Sequence, residues 1–570
     1  MKKLINEPAV VVPDMLAGLV LLNPALALLR DGLVVHRADA REPAALDSVA
    51  LISGGGSGHE PAHGGYVGPG MLSAAVAGEV FISPSTDAVL AAVRLVAGPR
   101  GVLLIVKNYT GDRLNFALAA EIARSEGIDV EMVVVADDVA LSADGPHAGR
   151  RGLAGTVLVH KVAGAAAAEG RSLAEVAAAA RSAAASLGTM GVALSPCTVP
   201  AAGQPGFSLA DDEVEWGLGI HGEPGVRRGA LVRAGELVNE LLTPVIGDLR
   251  LGAGSRVALL VNNLGGSAAG ELSIVASAAV AQLRARQIVV ERAWAGTFLT
   301  ALEMAGCSIS VLEVDDERLR RLDAPTRTSA WPSHLGRVQD AVPEVALPEP
   351  PAPRGPALAA DSTLRRVVEA VCDRLQAAEP RLTELDQQVG DGDLGDSLAR
   401  AARGITAELD GYPADSPAAL LRAMSATVRR VVGGTSGPMY AIALLRAAIA
   451  LDVESPGAVD WSRAFTAGVA GVRELGGATI GDRTMVDALQ PAAEAFARHL
   501  DESDDVVAAL ATALQRAEAG AAETARLTPR LGRSSYVGER ALGVPDPGAV
   551  AVTLWLAAVR DALTEPGPRR

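Results

Sequence analysis

Residues 342–360, VPEVALPEPPAPRGPALAA, place five prolines between Pro348 and Pro356. Proline fixes φ and lacks a backbone N–H, so such a run forms an extended, semi-rigid spacer and cannot enter a packed core. The chain must therefore fold as separate bodies on either side of it. At roughly 100–200 residues per domain, the 570 residues call for about three or four structural units. The reading places one domain at 1–341, the linker at 342–360 and a second domain at 361–570.

Before the linker, short β-branched runs enter polar or glycine-rich loops. Val49–Ser53 leads into GGGSGHEP, Val102–Val106 into KNYTGD, Val133–Val135 into ADD, and Val257–Val261 into NNLGGS. Ala-rich helical stretches such as Ala165–Ala185 separate them. Strands alternating with helices imply buried sheets whose loops gather at the strand ends, where α/β proteins bind ligands. A proline-rich break near 190–205 divides this α/β substrate-binding domain into two lobes. After the linker, helical periodicity dominates at Leu364–Leu375, Pro417–Val431, Met439–Leu451, Val486–Leu500, Val506–Thr524 and Gly548–Leu563. The loops between are rich in Gly, Asp, Ser and Thr, which predicts an all-α bundle or barrel with its site at one end.

The formal net charge of −16 disfavours a general nucleic-acid or anionic-membrane binder. An acidic protein handles phosphates only through local devices: bound cations, helix N-termini and a few placed Arg or Lys. Cys197, Cys307 and Cys372 are far apart with no CxxC pair, which fits a reducing cytosol rather than a disulfide framework. Glu7, Pro8, Pro13 and Asp14 interrupt the apolar N-terminus, and no stretch of about 20 apolar residues offers a membrane span. A soluble intracellular protein is expected.

Two groups of motifs carry chemistry. TELDQQVGDGDLGDS places Asp386, Asp391 and Asp393 within eight residues. Carboxylates this close repel unless a hard cation or hydrogen bonds offset the cost. An EF-hand is excluded, because Gly395 stands at a ligand position and no Glu follows at position twelve; an acidic helix-capping turn is the plain alternative. GGTSGPMY (433–440) precedes an apolar helix and could cradle a phosphate with its N–H groups, Thr435 and Ser436, and GDRTMVDAL (481–489) also opens a helix. Neither a P-loop nor a protein-kinase signature occurs. The second group is SGGGSGHEPAHGGYVGPGM with His59 and His63, KNYTGD with Lys107 and Asp112, and GLGIHGEPG with His221. Glycines leave room for a ligand at the backbone, and an exposed imidazole can act as base, acid or nucleophile. For His63, as for His36, His147, His160, His334 and His499, simple solvation is the expectation.

With these motifs in order, joined by KKLIN, CTVPAAGQPGFSLADDEVEWGLGIHGEPG, VNNLGG, GDRTMVDALQPA and GRSSYVGERALGVPDPGA, the chain resembles the single-chain, ATP-dependent dihydroxyacetone kinases. These join a substrate-binding K-type domain to a nucleotide-binding L-type domain, here over nearly the whole chain. The resemblance implies that His221 attacks the ketone carbonyl and holds the substrate as a hemiaminal. A neutral imidazole adds to a carbonyl but not to an alcohol, which selects ketoses over glycerol. Gly56, Ser57 and Gly58 would line the substrate, with Lys107 and Asp112 near its hydroxyls, Asp112 as base and His59 as acid/base partner.

On the helical domain, the resemblance makes Asp386, Asp391 and Asp393 the ligands of two Mg²⁺ ions bridging the phosphates of ATP. Thr435 and Ser436 match the phosphate-contacting pair, and Gly476, Met485, Arg533, Asp546, Pro547 and Gly548 match positions around the nucleotide. Leu394, Gly395, Asp396 and Ser397 also fall at nucleotide-contacting positions, but depart from the family pattern, in which His, Cys or Thr and then Gly-x-Asn or Gly-x-Thr follow DGD. Fusion on one chain favours exchange of free ATP over the resident ADP of the split, phosphotransferase-dependent relatives. A cytoplasmic homodimer is implied. The leading expectation is phosphorylation of dihydroxyacetone; the alternatives are a kinase for erythrulose, apulose or another longer ketose, a non-catalytic ketose sensor, and an FAD-AMP lyase.

Overall fold

The computed structural model describes residues 2–29, 33–141, 149–346, 362–413 and 416–564. His147 and residues 347–360 of the proline spacer lie outside them. The chain divides into two compact units, Met1–Pro343 and Glu344–Arg570.

The first unit begins with α1 (Val11–Leu21), β1 (Leu26–Leu28), β2 (Val34–Arg37) and the short α2 (Pro43–Leu46). There follow β3 (Ala50–Ser57), β4 (Ala74–Val80), α3 (Thr86–Val96), β5 (Val102–Lys107), α4 (Thr110–Ser125) and β6 (Val130–Val135). The six strands form a sheet of order β1-β2-β4-β3-β5-β6, parallel from β4 through β6 and antiparallel at β1 and β2. Successive side chains of a strand point to opposite faces, and the apolar residues follow that rule on both. Ala50, Ile52, Val102, Leu104 and Val106 meet Val89, Val93, Phe116 and Ala120 of α3 and α4. Leu51, Leu103, Ile105, Val133 and Val135 face the opposite side, toward α1, α5 (Thr156–Ala168) and α6 (Leu173–Ala185). A sheet covered on both faces reads as continuous apolar runs, as β3 and β5 do.

The Ala-rich stretch 165–185 is two helices rather than one. Gly170 takes a left-handed φ of 74°, and Ser172 then caps α6 in a reciprocal box with Glu175, a signal that outweighs alanine propensity. These two helices carry the chain from the first sheet to the second. The second sheet starts with β7 (Leu187–Ala193), so Pro196–Pro205 is a loop within that lobe and not its boundary; the prolines exclude a strand there but do not divide the core. The remaining strands are β8 (Glu213–Trp216), β9 (Arg227–Ala230), β10 (Arg256–Asn263), β11 (Val289–Gly296) and β12 (Gly306–Glu313), in the order β11-β10-β12-β7-β8-β9. One face packs on α7 (Ala234–Asp248) and α8 (Ala269–Ala285). From the other face, Leu187, Ala193, Ala258, Leu260 and Leu312 enter the same core as Leu51, Leu103 and Ile105 of the first sheet. The two lobes thus share an interior. A final helix, α9 (Asp316–Asp323), packs on α5.

The second unit is helical: α10 (Thr363–Ala377), α11 (Glu379–Val389), α12 (Leu394–Glu408), α13 (Pro417–Val431), α14 (Ser436–Ala450), α15 (Ala458–Gly476), α16 (Val486–Glu502), α17 (Val506–Glu523) and α18 (Pro547–Thr564). From α12 to α18 each helix packs on the next, and α10 packs on both α12 and α18, so the ring closes as a barrel. Most connections are short, which makes sequential neighbours antiparallel. Helices α12, α14, α16 and α18 consequently begin at one end. Among the described residues, no helix is long and apolar enough to cross a membrane.

One contact sets the turn after β4. A Cβ on Gly78 of β4 would collide with the carbonyl oxygen of Ile82, in the turn where Phe81 has a positive φ. The obstacle is backbone and cannot swing away, so Gly78→Ala is expected to destabilise the first unit by about 1–3 kcal/mol, measured as a lower denaturant midpoint with an unchanged slope.

Candidate active site

In the first unit the expected residues converge where β3 and β5 end. Strand β3 is buried throughout and finishes in Gly54–Ser57, and β5 finishes at Lys107, only 1% exposed. Asp112 lies in the first turn of α4, where the helix N-terminus favours a carboxylate. Gly55 joins them: a Cβ there would lie 2.9 Å from Lys107 Nζ and 3.3 Å from Asp112 Oδ2. The ammonium and the carboxylate therefore flank bare backbone. Ser83 Oγ–H donates to Asp112 Oδ1 at 2.5 Å, leaving Oδ2 turned toward that backbone. Gly56 carries no side chain for the same kind of reason, since a Cβ would come 2.7 Å from Ile82 N. Ser57 donates to Gly78 O at 2.7 Å, so its hydroxyl is spent on holding the loop.

The chain then turns through Gly58, at φ 97°, to His59. His59 Nδ1 lies 2.7 Å from Thr300 O. A carbonyl oxygen only accepts, so Nδ1 carries the proton and Nε2 a lone pair. His221 is fixed by the same logic: its Nδ1–H donates to Glu223 Oε1 at 2.8 Å, while its backbone N–H donates to Oε2 at 3.0 Å. The two Nε2 atoms face each other at 3.1 Å, a hydrogen-bond distance, so with both Nδ1 atoms protonated they share one further proton between them. Phe81 stacks on His59, and Phe81 and Tyr109 approach the His221 ring edge-on. Burial, with Lys107 and His221 close by, pushes the pKa of His59 well below its ordinary value. Burial acts to raise the Glu223 carboxyl, but its bonds to His221 bring it down to about 2. Glu223 is thus a carboxylate set against the His221 ring.

Two histidines expected in solvent are buried. His63 is 6% exposed and lies 3.1 Å from Lys107 Nζ, and His160 is fully enclosed on α5. The glycine-framed loop folds back against β3 and takes His63 inward, and an Ala- and Val-rich helix covered on all sides carries His160. His36 is half-buried, His499 is half-buried and His334 is exposed. The sequence reading did not single out Glu223, Ser83, Phe81, Tyr109 or Thr300. Glu223 had a signal, two residues beyond His221 in IHGEPG; Thr300 had none.

In the helical unit the motif loops meet at the end where alternate helices begin. Asp386 on α11 and Asp391 and Asp393 before α12 each present a ligand oxygen, all within 4.8 Å of one another. Asp386 is buried and accepts from Leu394 N at 3.1 Å, whereas the other two carboxylates are exposed. This oxygen-only, partly open set fits a hard divalent cation. A Cβ on Gly434 would lie 3.8 Å from Asp393 Oδ2, which brings the GGTSG loop beside the carboxylates, with Thr435 exposed at the start of α14 and Ser436 in its first turn. Gly476 lies against Met439, and Gly548 against Met485. Asp546 caps α18 through Ala549 N at 2.8 Å, with Pro547 buried behind it. Burial, reinforced by Asp487 and Asp386, raises its carboxyl to about 6. Arg483, also missed, is fully buried and donates to Ala541 O and Val544 O, tying the loop before α16 to the loop before α18.

The Leu394–Ser397 segment is arranged differently. Leu394 packs into the barrel core, Gly395 leaves space for Thr383, Asp396 is exposed and paired with Arg400 at 2.7 Å, and Ser397 is buried. Their backbone, rather than these side chains, faces the carboxylate loop. Arg533 begins a 3₁₀ turn; its side chain lies outside the description.

Residues 17–330 match the Dak1 domain and residues 388–561 the DAK2 domain. The human protein named triokinase/FMN cyclase is 45% identical over 579 residues, 99% of each chain. The D-erythrulose kinase of Mycolicibacterium smegmatis is 36% identical over 583 residues, again 99% of each. The crystal structure of the C. freundii dihydroxyacetone kinase with AMP-PNP and Mg²⁺ aligns at TM-score 0.66 with 36% identity, covering 98% of this chain and 99% of that one.

Three carboxylates held this close have opposite consequences with and without a cation. Asp391→Asn is expected to weaken Mn²⁺ binding, read by calorimetry, by at least about tenfold. Asp393→Asn should raise the melting temperature of the metal-free protein, because its repulsion with Asp386 and Asp391 is removed.

Proposed function

The chain belongs to the dihydroxyacetone kinase family, and on that premise we propose that it transfers the γ-phosphoryl group of ATP to a hydroxyl of a short-chain ketose, dihydroxyacetone before longer ones. The observation that carries this reading is the His59–His221 pair, with each Nδ1 bonded to an acceptor and the two Nε2 atoms turned to one another. An imidazole nitrogen backed by a carboxylate serves as a base toward a hydroxyl or as a nucleophile toward a carbonyl carbon, and the family resemblance favours the second.

His221 Nε2 donates its lone pair to the carbonyl carbon, and the C=O π pair moves to oxygen. That oxygen takes the proton shared between the two Nε2 atoms, handed over by His59 Nε2, whose pKa burial lowers. The products are a hydroxyl, a neutral His59 and an N-alkylated, cationic His221; the net charge is the same before and after. Glu223, already ionised, offsets the positive charge where it appears. Lys107 and Asp112 then hold the hydroxyls against Gly55. Asp112 Oδ2 takes the proton of the acceptor hydroxyl as its oxygen bonds the γ-phosphorus and the bond to the β-phosphate oxygen breaks, releasing ADP.

On the helical unit, Asp386, Asp391 and Asp393 would hold two Mg²⁺ ions, since Mg²⁺ is usually bound by one or two carboxylates with substrate phosphates, and these supply charge neutralisation for the transferring group. The loop at Gly433–Ser436 and the N-termini of α14, α16 and α18 direct N–H groups to the phosphates. The intact carboxylate triad speaks against a sensor that has lost catalysis. Family resemblance supports a homodimer, and three free, buried cysteines support a reducing, cytoplasmic location.

The test is ADP release from Mg-ATP with dihydroxyacetone, both erythrulose enantiomers, apulose, glyceraldehyde and glycerol. Turnover highest with dihydroxyacetone, absent with glycerol and abolished in His221→Ala is the expected result. A higher rate with a four- or five-carbon ketose would move the substrate but keep the chemistry; no turnover with any carbonyl compound overturns the reading. Asp112→Asn should lower kcat by about 10²–10⁴-fold while the His221 adduct still forms, observed as loss of the ¹³C carbonyl resonance of labelled dihydroxyacetone.

A further inference from the structure

We propose that His63 is a positioning residue for ketose binding, which acts by holding the Lys107 ammonium against Gly55 without touching the substrate. The inference rests on the ketose-kinase reading above. Lys107 is enclosed, and its Nζ lies 3.1 Å from His63 Nε2. The His63 tautomer follows from its other side. Ser53 Oγ–H is committed to Ile105 O at 2.7 Å, so the Ser53 oxygen is an acceptor for His63 Nδ1–H, at 3.4 Å. Ser53 and Ile105 are register partners on β3 and β5, so the acceptor is built into the sheet itself. With Nδ1 protonated, Nε2 presents a lone pair, which only a donor such as Lys107 can satisfy.

The neighbouring ring does not compete. His160 lies edge-on to His63 with centroids 5.2 Å apart and, among the described residues, has no hydrogen-bond partner on either nitrogen. Lys107 has three N–H donors. One is taken by His63, and the others remain for the space above Gly55, which Asp112 Oδ2 also faces. The groups that act on Lys107 are Asp112, Asp137 and Glu60, which favour its charged form, while His59, His63 and His160 lie around it. Of these, His63 is the one bonded to the ammonium nitrogen. A freely rotating lysine would gain little at such a site. One fixed by a neutral acceptor presents its remaining donors in a constant direction, and the ketose hydroxyl binds to a preformed partner.

The experiment compares His63→Gln, whose amide can accept from Lys107 and donate to Ser53, with His63→Leu, which can do neither. In the full-length enzyme His63→Leu is expected to raise KM for dihydroxyacetone about tenfold or more, as loss of a hydrogen bond to a buried charge does, with a smaller change in kcat and none in KM for ATP. The alkaline limb of kcat/KM should move to lower pH, since the ammonium loses an acceptor that favours its charged form. His63→Gln should recover most of the loss. In a Lys107→Met background, His63→Leu should add nothing. Ser53→Ala keeps the imidazole and removes only its acceptor; a rise in KM of a few fold there gives the same reading if His63→Leu does not fold. Equal losses in the Gln and Leu variants, a loss that persists without Lys107, or an unchanged KM in Ser53→Ala would overturn the inference. Absence of ketose turnover in the unaltered protein would instead remove the reading beneath it.

Discussion

The approach of His59 to His221 depends on two sheets sharing one core. Leu51, Leu103 and Ile105 from the first and Ala258, Leu260 and Leu312 from the second bury against the same apolar interior. That burial, at about 25 cal/mol per Å², holds the lobes in a fixed relation, and it carries His59 to His221 across 162 residues of chain. The backbone repeats the connection. Leu302 N–H donates to Gly58 O at 2.7 Å and Thr300 N–H to His59 O at 3.2 Å, so the loop after β3 is bonded directly to the segment after β11. If the lobes slid by an ångström, the Nε2 atoms would part and the histidine tautomers would lose the bonds that define them.

Within that frame the chemistry is set by what each polar group cannot do. Thr300 O cannot donate, so His59 must place its proton on Nδ1. Glu223, held at about 2, cannot donate either, and His221 is constrained in the same way. Ser53 donates its O–H to Ile105 O, so its oxygen accepts from His63 Nδ1–H. His63 thus presents a lone pair to Lys107, and the Nε2 atoms of His59 and His221 share a proton between them. His59, His63 and His160 are all enclosed, so a charge there is costly unless it is shared or paired.

The helical unit solves a different electrostatic problem. Asp386, Asp391 and Asp393 repel one another, and Asp546 and Asp487 lie close enough to raise the strain further. Antiparallel packing turns the first residues of α12, α14, α16 and α18 to the same end, where unpaired N–H groups meet both carboxylates and phosphates. Arg483 and Asp487 fold the loop before α16 through buried bonds to carbonyls and N–H groups. An acidic chain can therefore bind a polyanion, because the positive partners are backbone dipoles and cations rather than a basic surface.

Much of this was legible in the residues. Buried strands announced themselves as β-branched runs, and β3, β5, β6 and β10 contain the segments read as strands save Val49, because a strand covered on both faces is apolar at most positions. The helices after the linker followed their 3.6-residue periodicity, and Pro417–Val431 matches residue for residue. The carboxylate cluster could be read because its three members are local in sequence. Other features were decided by tertiary packing alone. The split of the Ala-rich stretch came from capping at Ser172, and the place where the first lobe ends came from which face each strand buries. A loop histidine looks the same whether it meets water or a buried lysine, so the enclosure of His63, the donor to Thr300 O and the 3.1 Å approach of His59 to His221 arise only when distant segments compete for the same interior. Local periodicity and spacing record what a residue's neighbours along the chain require; the protonation state of a buried group is set by partners that only folding brings within hydrogen-bond reach.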